Sequence, residues 1–371
     1  MKSLYIVIIF ILVSCKSNYY GAEDVSISKR IGCSNMTNIQ KKNPDFFVAN
    51  YEELVFSLSQ IKEGGIIRIN DTAKINLTGK SKIEIKQGVS LVSGNTCENQ
   101  GALLYTSDIG HSPAIECTGN GVKLIGIRLI GPDSSRRVKQ MYNLISMNKY
   151  YELPNSIGIR CVGFSGLIIQ NCELMGWSFS AIDIERGEDN IIRNNYIHHN
   201  QRLGLGYGVM LHDAYALIEE NFFNWNRHSV AGSGRLNTGY EIRNNIFGKR
   251  SLNYVLDMHG IYDERVNDTI GGRDLNIHHN TFYTIEDGPI VLHGDPINTA
   301  RIHHNIFLGN LTSEKAYVKG VFFRNGKVRS YKNIFKSDFI HMKTRTVLLK
   351  THPITKINKK IKLINPKFSL E

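Results

Sequence analysis

Apolar positions along this chain come in short runs rather than long faces. Ile66-Ile67-Arg68-Ile69, Ile83-Glu84-Ile85, Val89-Ser90-Leu91-Val92 and Val122 to Ile127 are such runs, with Gly or Asn close by. That spacing reads as short strands, not helices. Further along, a unit of the form apolar-x-x-Asn-x-apolar returns seven times, with its Asn at Asn171, Asn195, Asn221, Asn245, Asn280, Asn305 and Asn333. The steps are 24, 26, 24, 35, 25 and 28 residues. A step near 25 is one solenoid coil of three short strands, and the long step carries a loop insertion. The apolar flanks are expected to stack inward. Each Asn is expected at a bend, where it tolerates a left-handed backbone and bonds its neighbours up the stack. The Leu-x-Leu strands of a leucine-rich repeat are absent. The expected fold is all-β, a right-handed parallel β-helix.

Asn50 to Ile61 is the exception, with Leu54, Leu58 and Ile61 on one helical face, Asn50 as cap, Glu53 three residues on, and Gly64-Gly65 as the stop. A short helix there suits a plug over the first coil, whose apolar interior needs covering. Upstream, Lys2 precedes an apolar run, Leu4 to Val13, too short to span a bilayer comfortably. It ends in Leu12-Val13-Ser14-Cys15, which resembles a bacterial lipobox. Residues 1–15 are therefore expected to be a lipoprotein signal, with Cys15 the lipidated residue, and the protein to sit in the bacterial cell envelope (outer membrane or periplasm) or be secreted. Residues 16–45 read as a tether, 46–335 as the capped β-helix, and 336–371 as a basic tail that covers the last coil. With Cys15 acylated, five cysteines remain, an odd number that leaves at least one thiol unpaired.

The net charge of +12 favours anionic partners. No Lys/Arg block interleaved with aromatics occurs, so nucleic acid is not among them. A monomer acting on an acidic polysaccharide or oligosaccharide is the expectation.

After the Asn units come second strands, among them Ala181 to Glu185, Val209 to Asp213, Ser229 to Ser233, Val255 to His259, Ile290 to His293 and Val321 to Arg324. If their apolar alternates face inward, Asp183, Glu185, His212, Asp257, His259, His293 and Arg324 project from one sheet and line a groove. The densest chemistry lies at Asn226-Arg227-His228-Ser229-Val230-Ala231-Gly232-Ser233-Gly234, then Tyr240, Arg243 and Asp257-Met258-His259-Gly260. The small residues 231–234 would admit a ligand to the backbone. Arg grips carboxylates, and His moves protons near neutrality. These are the parts that β-elimination from a uronic acid needs. Arg227 or Arg243 would neutralise the carboxylate, and His228 and His259 with Tyr240 would transfer protons. His212, Asp257, His293, Arg324 and Glu185 would bind substrate. No cofactor is demanded. Calcium is the cation this chemistry admits, as a partner of the uronate, and Asp257, His259 and His212 could converge on a metal. A hydrolase using two of Asp183, Glu185, Asp213 and Asp257, or a non-catalytic glycan-binding surface protein, are the alternatives. His278-His279 and His303-His304 adjoin the Asn units and read as stacked structural pairs.

On the coil repeat and the Asn-Arg-His-Ser-Val-Ala-Gly-Ser-Gly and Asp-Met-His-Gly stretches, residues 65 to 335 resemble the right-handed parallel β-helix superfamily of polysaccharide lyases and related bacterial carbohydrate-active proteins. The resemblance implies an exported enzyme that cuts an extended, often anionic, glycan along its groove. Pectate-lyase-like Arg-x-Pro-x-x-Arg and Trp-x-Asp-His segments are missing, as are the clustered Asp motifs of β-helix galacturonases. The resemblance therefore carries the fold further than the reaction.

Overall fold

A computed structural model describes residues 22, 32–265, 267–283, 289–308, 318–320 and 327–335. Cys15, Arg324 and the basic tail from 336 lie outside the described residues. Among those described, the strands form three parallel sheets of eleven, nine and ten strands, and within the repeat each strand pairs with the one a full coil later. This is the β-helix that the repeat predicts. A two-stranded antiparallel hairpin, Ile261–Asp263 with Asp268–Ile270, fills the long repeat step.

Register explains why the repeat folds this way. Ile169, Ile192, Ile218, Ile242, Ile277 and Ile302 are successive partners in the eleven-stranded sheet, and all are fully buried. Phe223, Phe247, Phe282 and Phe307 stack at 5.2, 4.7 and 4.8 Å between ring centres. Each such side chain contributes about 1.5–3 kcal/mol of apolar burial. Helix α1 (Tyr51–Gln60) is capped as expected: Asn50 Oδ1 accepts from Glu53 N at 2.9 Å, and Leu54 and Leu58 are buried in the main core.

The Asn ladder is present, one residue out of the expected place. The left-handed backbone falls on the residue before each ladder Asn: Asn194, Glu220, Asn244, His279, His304 and Lys332, with φ from 51° to 55°. Asn171 is itself left-handed (φ 56°), and Cys172 occupies the ladder position, its N–H donating to Asn195 Oδ1 at 2.9 Å. The ladder Asn must point inward to bond both neighbouring coils, so the bend is made one residue earlier.

Residues 32–45 also differ from a free tether. Gly32 N donates to Glu220 O (2.8 Å), Ser34 N to Asn171 Oδ1 (2.7 Å) and Gln40 Nε2 to Ser93 O (2.7 Å). Cys33 and Cys97 form a disulfide. The segment is a strap running back along the coils. Upstream, Ala22 is buried beside Ile246, its N–H on Thr281 Oγ1 at 3.1 Å. Cys117, Cys161 and Cys172 are free and buried, which accounts for the odd count.

The histidine pairs stack. His278 lies on His303 and His279 on His304, both at 5.0 Å, and His303 lies on Tyr331 at 4.9 Å. Burial pushes His199 and His303 down to about 4, and neighbouring imidazoles add to the effect. An unfolded imidazole takes its proton near pH 6.5, so between about 6.5 and 4 the unfolded chain binds more protons than the folded one. Stability is therefore full above that window and lost as pH falls through it. The melting temperature at pH 5 is expected roughly 5–10 °C below that at pH 7. Equal values in a thermal melt would show that these imidazoles do not control acid stability.

Candidate functional site

The nine-stranded sheet buries Ile159, Ile182, Val209, Val230, Leu256 and Ile290 as one inward column of register partners. The alternates therefore face away from the core. One outward column runs Arg160, Asp183, Met210, Ala231, Asp257, Val291. The next begins with Glu185 and His212 and continues, two positions past the first, to His259 and His293.

Asp257, on the strand Leu256–Met258, is the hub of this face. His228 Nε2 lies 3.1 Å and His259 Nε2 3.2 Å from its Oδ2, and His293 Nε2 lies 3.0 Å from its Oδ1. Three imidazoles from three coils thus meet one carboxylate. Burial would raise the Asp257 pKa. Hydrogen bonding from His259 and His293 outweighs it and holds the group well below the usual carboxylate range. Asp257 is therefore a fixed anion. Its hydrogen bond raises His293 above an ordinary imidazole, against the opposing effect of burial.

The three histidines are not equivalent. The His228 side chain is 0% exposed, against 36% for His259 and 48% for His293. His228 lies between the rings of Tyr207 (5.7 Å) and Tyr254 (6.2 Å), both nearly parallel to it. Its Nδ1 donates to the Tyr254 carbonyl at 2.6 Å. Burial, reinforced by Arg227, pushes it down to about 3, against the pull of Asp257. Expected from sequence to touch substrate, His228 is instead an interior support. The imidazoles of the cluster within reach of solvent are His259 and His293. Where Nε2 binds Asp257, Nδ1 is the nitrogen left to exchange a proton, the logic of any carboxylate-oriented imidazole.

Other expected site residues are placed as follows. The Arg227 guanidinium lies over the Tyr207 ring at 5.8 Å, beside the cluster. His212 is 3.3 Å from Asp183, not Asp257, so the Asp257–His259–His212 convergence does not occur. Among the described residues, no group of three or more His, Cys, Asp or Glu could hold a metal ion. Glu185 is bound by Arg186 and lies 4.0 Å from Arg160. Tyr240 is a correction. It belongs to the eleven-stranded sheet, is fully buried in the core, and is pushed up by that burial, so it meets no substrate. Arg243 is another: on the same sheet it pairs with Glu219 (2.8 Å) and Glu241 (2.9 Å), away from the cluster. The small run is filled by protein rather than ligand. A Cβ on Gly232 would meet Met258 Cε at 2.4 Å, and one on Gly234 the His259 carbonyl at 2.2 Å. Sequence reasoning missed Tyr207 and Tyr254. Their signal was register, since Tyr207 is the strand partner of His228.

A cavity of about 470 Å³ lies elsewhere, under the strap, lined by Ser34 to Ile39 and by Ile125, Ile168, Gln170 and Arg193. Its lining includes no His, Cys, Asp or Glu.

A family model described as right-handed beta helix region matches residues 140–341. No curated protein matches. Among solved structures, similarity extends to an alginate lyase from a Paenibacillus species, at 14% identity and TM-score 0.56, over 78% of this chain and 94% of that one. It extends also to a family 28 exopolygalacturonase of Yersinia enterocolitica, at 11% identity and TM-score 0.45, over 79% and 65%. A surface adhesin of Streptococcus pneumoniae matches at 12% identity and TM-score 0.42, over 80% and 90%. At such identities the alginate lyase likeness shows a shared fold. The family match covers more than half of the chain and coincides with its stacked coils, so this chain belongs to the right-handed β-helix family.

Proposed function

We propose that the protein is a carbohydrate-active enzyme, a polysaccharide lyase that cleaves a uronic-acid glycan by β-elimination on the outward face of the nine-stranded sheet. One observation carries the reading: a buried, ionised Asp257 orients two solvent-reachable imidazoles, His259 and His293, on one face. In β-elimination a cation offsets the uronate carboxylate, a base removes the C5 proton, and an acid protonates the departing oxygen. His293, raised by Asp257, is the acid-side group. His259 is the base, through Nδ1. Arg227, over the Tyr207 ring beside the cluster, is the cation that offsets the uronate carboxylate. The alginate lyase of similar fold supports the reading, since this scaffold can carry that class of reaction.

The hydrolase alternative has less support. Asp183 and Asp257 are three register steps apart, about 14 Å at ~4.8 Å per step, beyond the ~6.5–9.5 Å of an inverting pair. Asp183 and Glu185 are held by Arg160 and Arg186. Export and lipid attachment through Cys15 complete the proposal and place the enzyme where extracellular glycans are met.

The test is ultraviolet absorbance of the new conjugated double bond, with purified protein and a panel of uronic-acid polysaccharides. A rising signal supports a lyase and identifies the glycan. New reducing ends without that signal would replace it with hydrolysis. Binding without either product would replace it with a glycan-binding protein.

A further inference from the structure

Between the strands Arg128–Ile130 and Ile157–Val162 the chain leaves the coil for an insertion that contains helix α2 (Val138–Ser146). It buries little of itself. Met141 is the buried residue of the helix, while Tyr142, Met147 and Tyr151 are each more than half exposed. Exposed large apolar side chains on a loose loop would carry no message. This insertion is anchored. Arg202, fully buried on the next coil but one, donates to Asp133 Oδ2 from Nε (3.2 Å) and again from its terminal nitrogen. It also reaches the carbonyls of Leu153 (3.3 Å) and Pro154. Arg137 binds the same Asp133 carboxylate at 2.8 Å. A buried guanidinium costs desolvation, which is offset only when its donors are satisfied. Here that expense fixes both ends of a surface loop.

What the anchoring fixes is a file of rings. Tyr151 lies 6.4 Å from Phe179, Phe179 5.8 Å from Tyr207, Tyr207 6.3 Å from His259, and His259 6.4 Å from His293. The file climbs the coils from the insertion to the two proton-carrying imidazoles. Arg227 stands over its middle. Its outer end, Tyr151, is the most exposed ring of the file and points nothing of its own into the core.

We infer that Tyr151 is a sugar-stacking platform and that the insertion forms a distal binding subsite for the same anionic glycan chain. This rests on the glycan reading of the Asp257 face. An aromatic face accepts the C–H side of a pyranose while its hydroxyl end stays wet, the division of labour that suits Tyr at recognition surfaces. A chain seated on Tyr151 passes Arg227, whose charge matches a uronate, and arrives at His259 and His293. The subsite is several coils from the reacting bond, so it senses chain length rather than chemistry. Arg202 and Asp133 are positioning residues for it.

The experiment compares wild type with Tyr151→Ala and Tyr151→Phe by affinity electrophoresis in gels containing alginate, polygalacturonate or hyaluronan. It also compares kcat/KM on polymer with kcat/KM on a trisaccharide. Tyr151→Ala is expected to weaken polymer retardation about tenfold and to lower the polymer-to-trisaccharide ratio by a similar factor, mainly through KM, with Tyr151→Phe close to wild type. If wild type binds polymer without turnover and Tyr151→Ala loses the binding, the subsite stands and the lyase reading falls. Unchanged retardation and ratio in Tyr151→Ala would overturn the subsite while leaving the lyase reading intact. A wild-type protein that neither binds nor cleaves any of the polymers would overturn both.

Discussion

Alanine at His259 is expected to lower turnover by about 10²- to 10⁴-fold, the usual worth of a positioned acid–base group, with the fold left intact. The side chain is 36% exposed and anchored by one hydrogen bond to Asp257, so truncation opens no sealed cavity. Its stability cost is expected within about 0.5 kcal/mol, as for other surface changes. His228→Ala is the contrast. That ring fills the space between Tyr207 and Tyr254, so its removal is expected to cost about 2–4 kcal/mol through the cavity alone. Asp257→Asn keeps the shape but removes the anion that raises His293, so the alkaline limb of the pH–rate profile, where the acid loses its proton, should move to lower pH. Measured together, melting temperature and initial rate separate the roles: His259→Ala loses rate with unchanged melting, and His228→Ala loses melting. A His259→Ala protein within about threefold of wild-type rate would remove His259 as the base.

That division between His228 and His259 shows how far a sequence can be read. His259 lies two positions past Asp257, in the outward phase of its strand, whereas His228 lies two positions before Val230, in the phase that faces the core. Alternation assigns a face, and it did so correctly for Asp183, Glu185, His212, Asp257, His259 and His293. His228 is covered because Tyr207 and Tyr254, its partners one coil away on either side, close over it, and their proximity depends on register set by coil lengths of unequal size. Tyr240 and Arg243 failed for a related reason. They follow the His228 strand closely in sequence, yet a coil turns through three sheets in about 25 residues, so twelve residues carry the chain to another face. Nearness in sequence is a poor guide to nearness in a solenoid, where the neighbour that matters is one coil away.

The fold was more legible than the site because its signal is repeated. One Ile at the same phase says little, but six in register define a buried column. The bend was misplaced by one residue because Asn194-Asn195 and Asn244-Asn245 are doublets, and either Asn satisfies a left-handed turn. Only the demand for hydrogen bonds in both directions distinguishes them. The strap at residues 32–45 was illegible: its polar composition matches a tether, and what holds it is a disulfide with Cys97 and acceptors supplied by distant coils.

The ladder itself is expected to yield the larger stability effect. Asn221 accepts from Asn195 N (3.0 Å) and Asn195 Nδ2 (2.9 Å), and donates to Ile192 O (2.8 Å) and Asn245 Oδ1 (3.0 Å). It is fully buried, so no water replaces it. Asn221→Ala takes away the acceptor of the Asn195 N–H and the side-chain donor to the Ile192 carbonyl and Asn245 Oδ1. At roughly 1–3 kcal/mol per buried orphan, the loss comes to about 3–5 kcal/mol. For a domain of this size that is a fall of roughly 10 °C in melting temperature. Asn333→Ala makes a useful companion, because Asn333 closes the described ladder and is only partly buried. Its loss should cost less than half as much. The comparison tests the physical claim directly: if the ladder acts by satisfying buried donors and acceptors in both directions, the interior rung must matter more than the terminal one. Equal and small shifts for both variants in a thermal melt would mean that the columns of Ile and Phe hold the coils together without it.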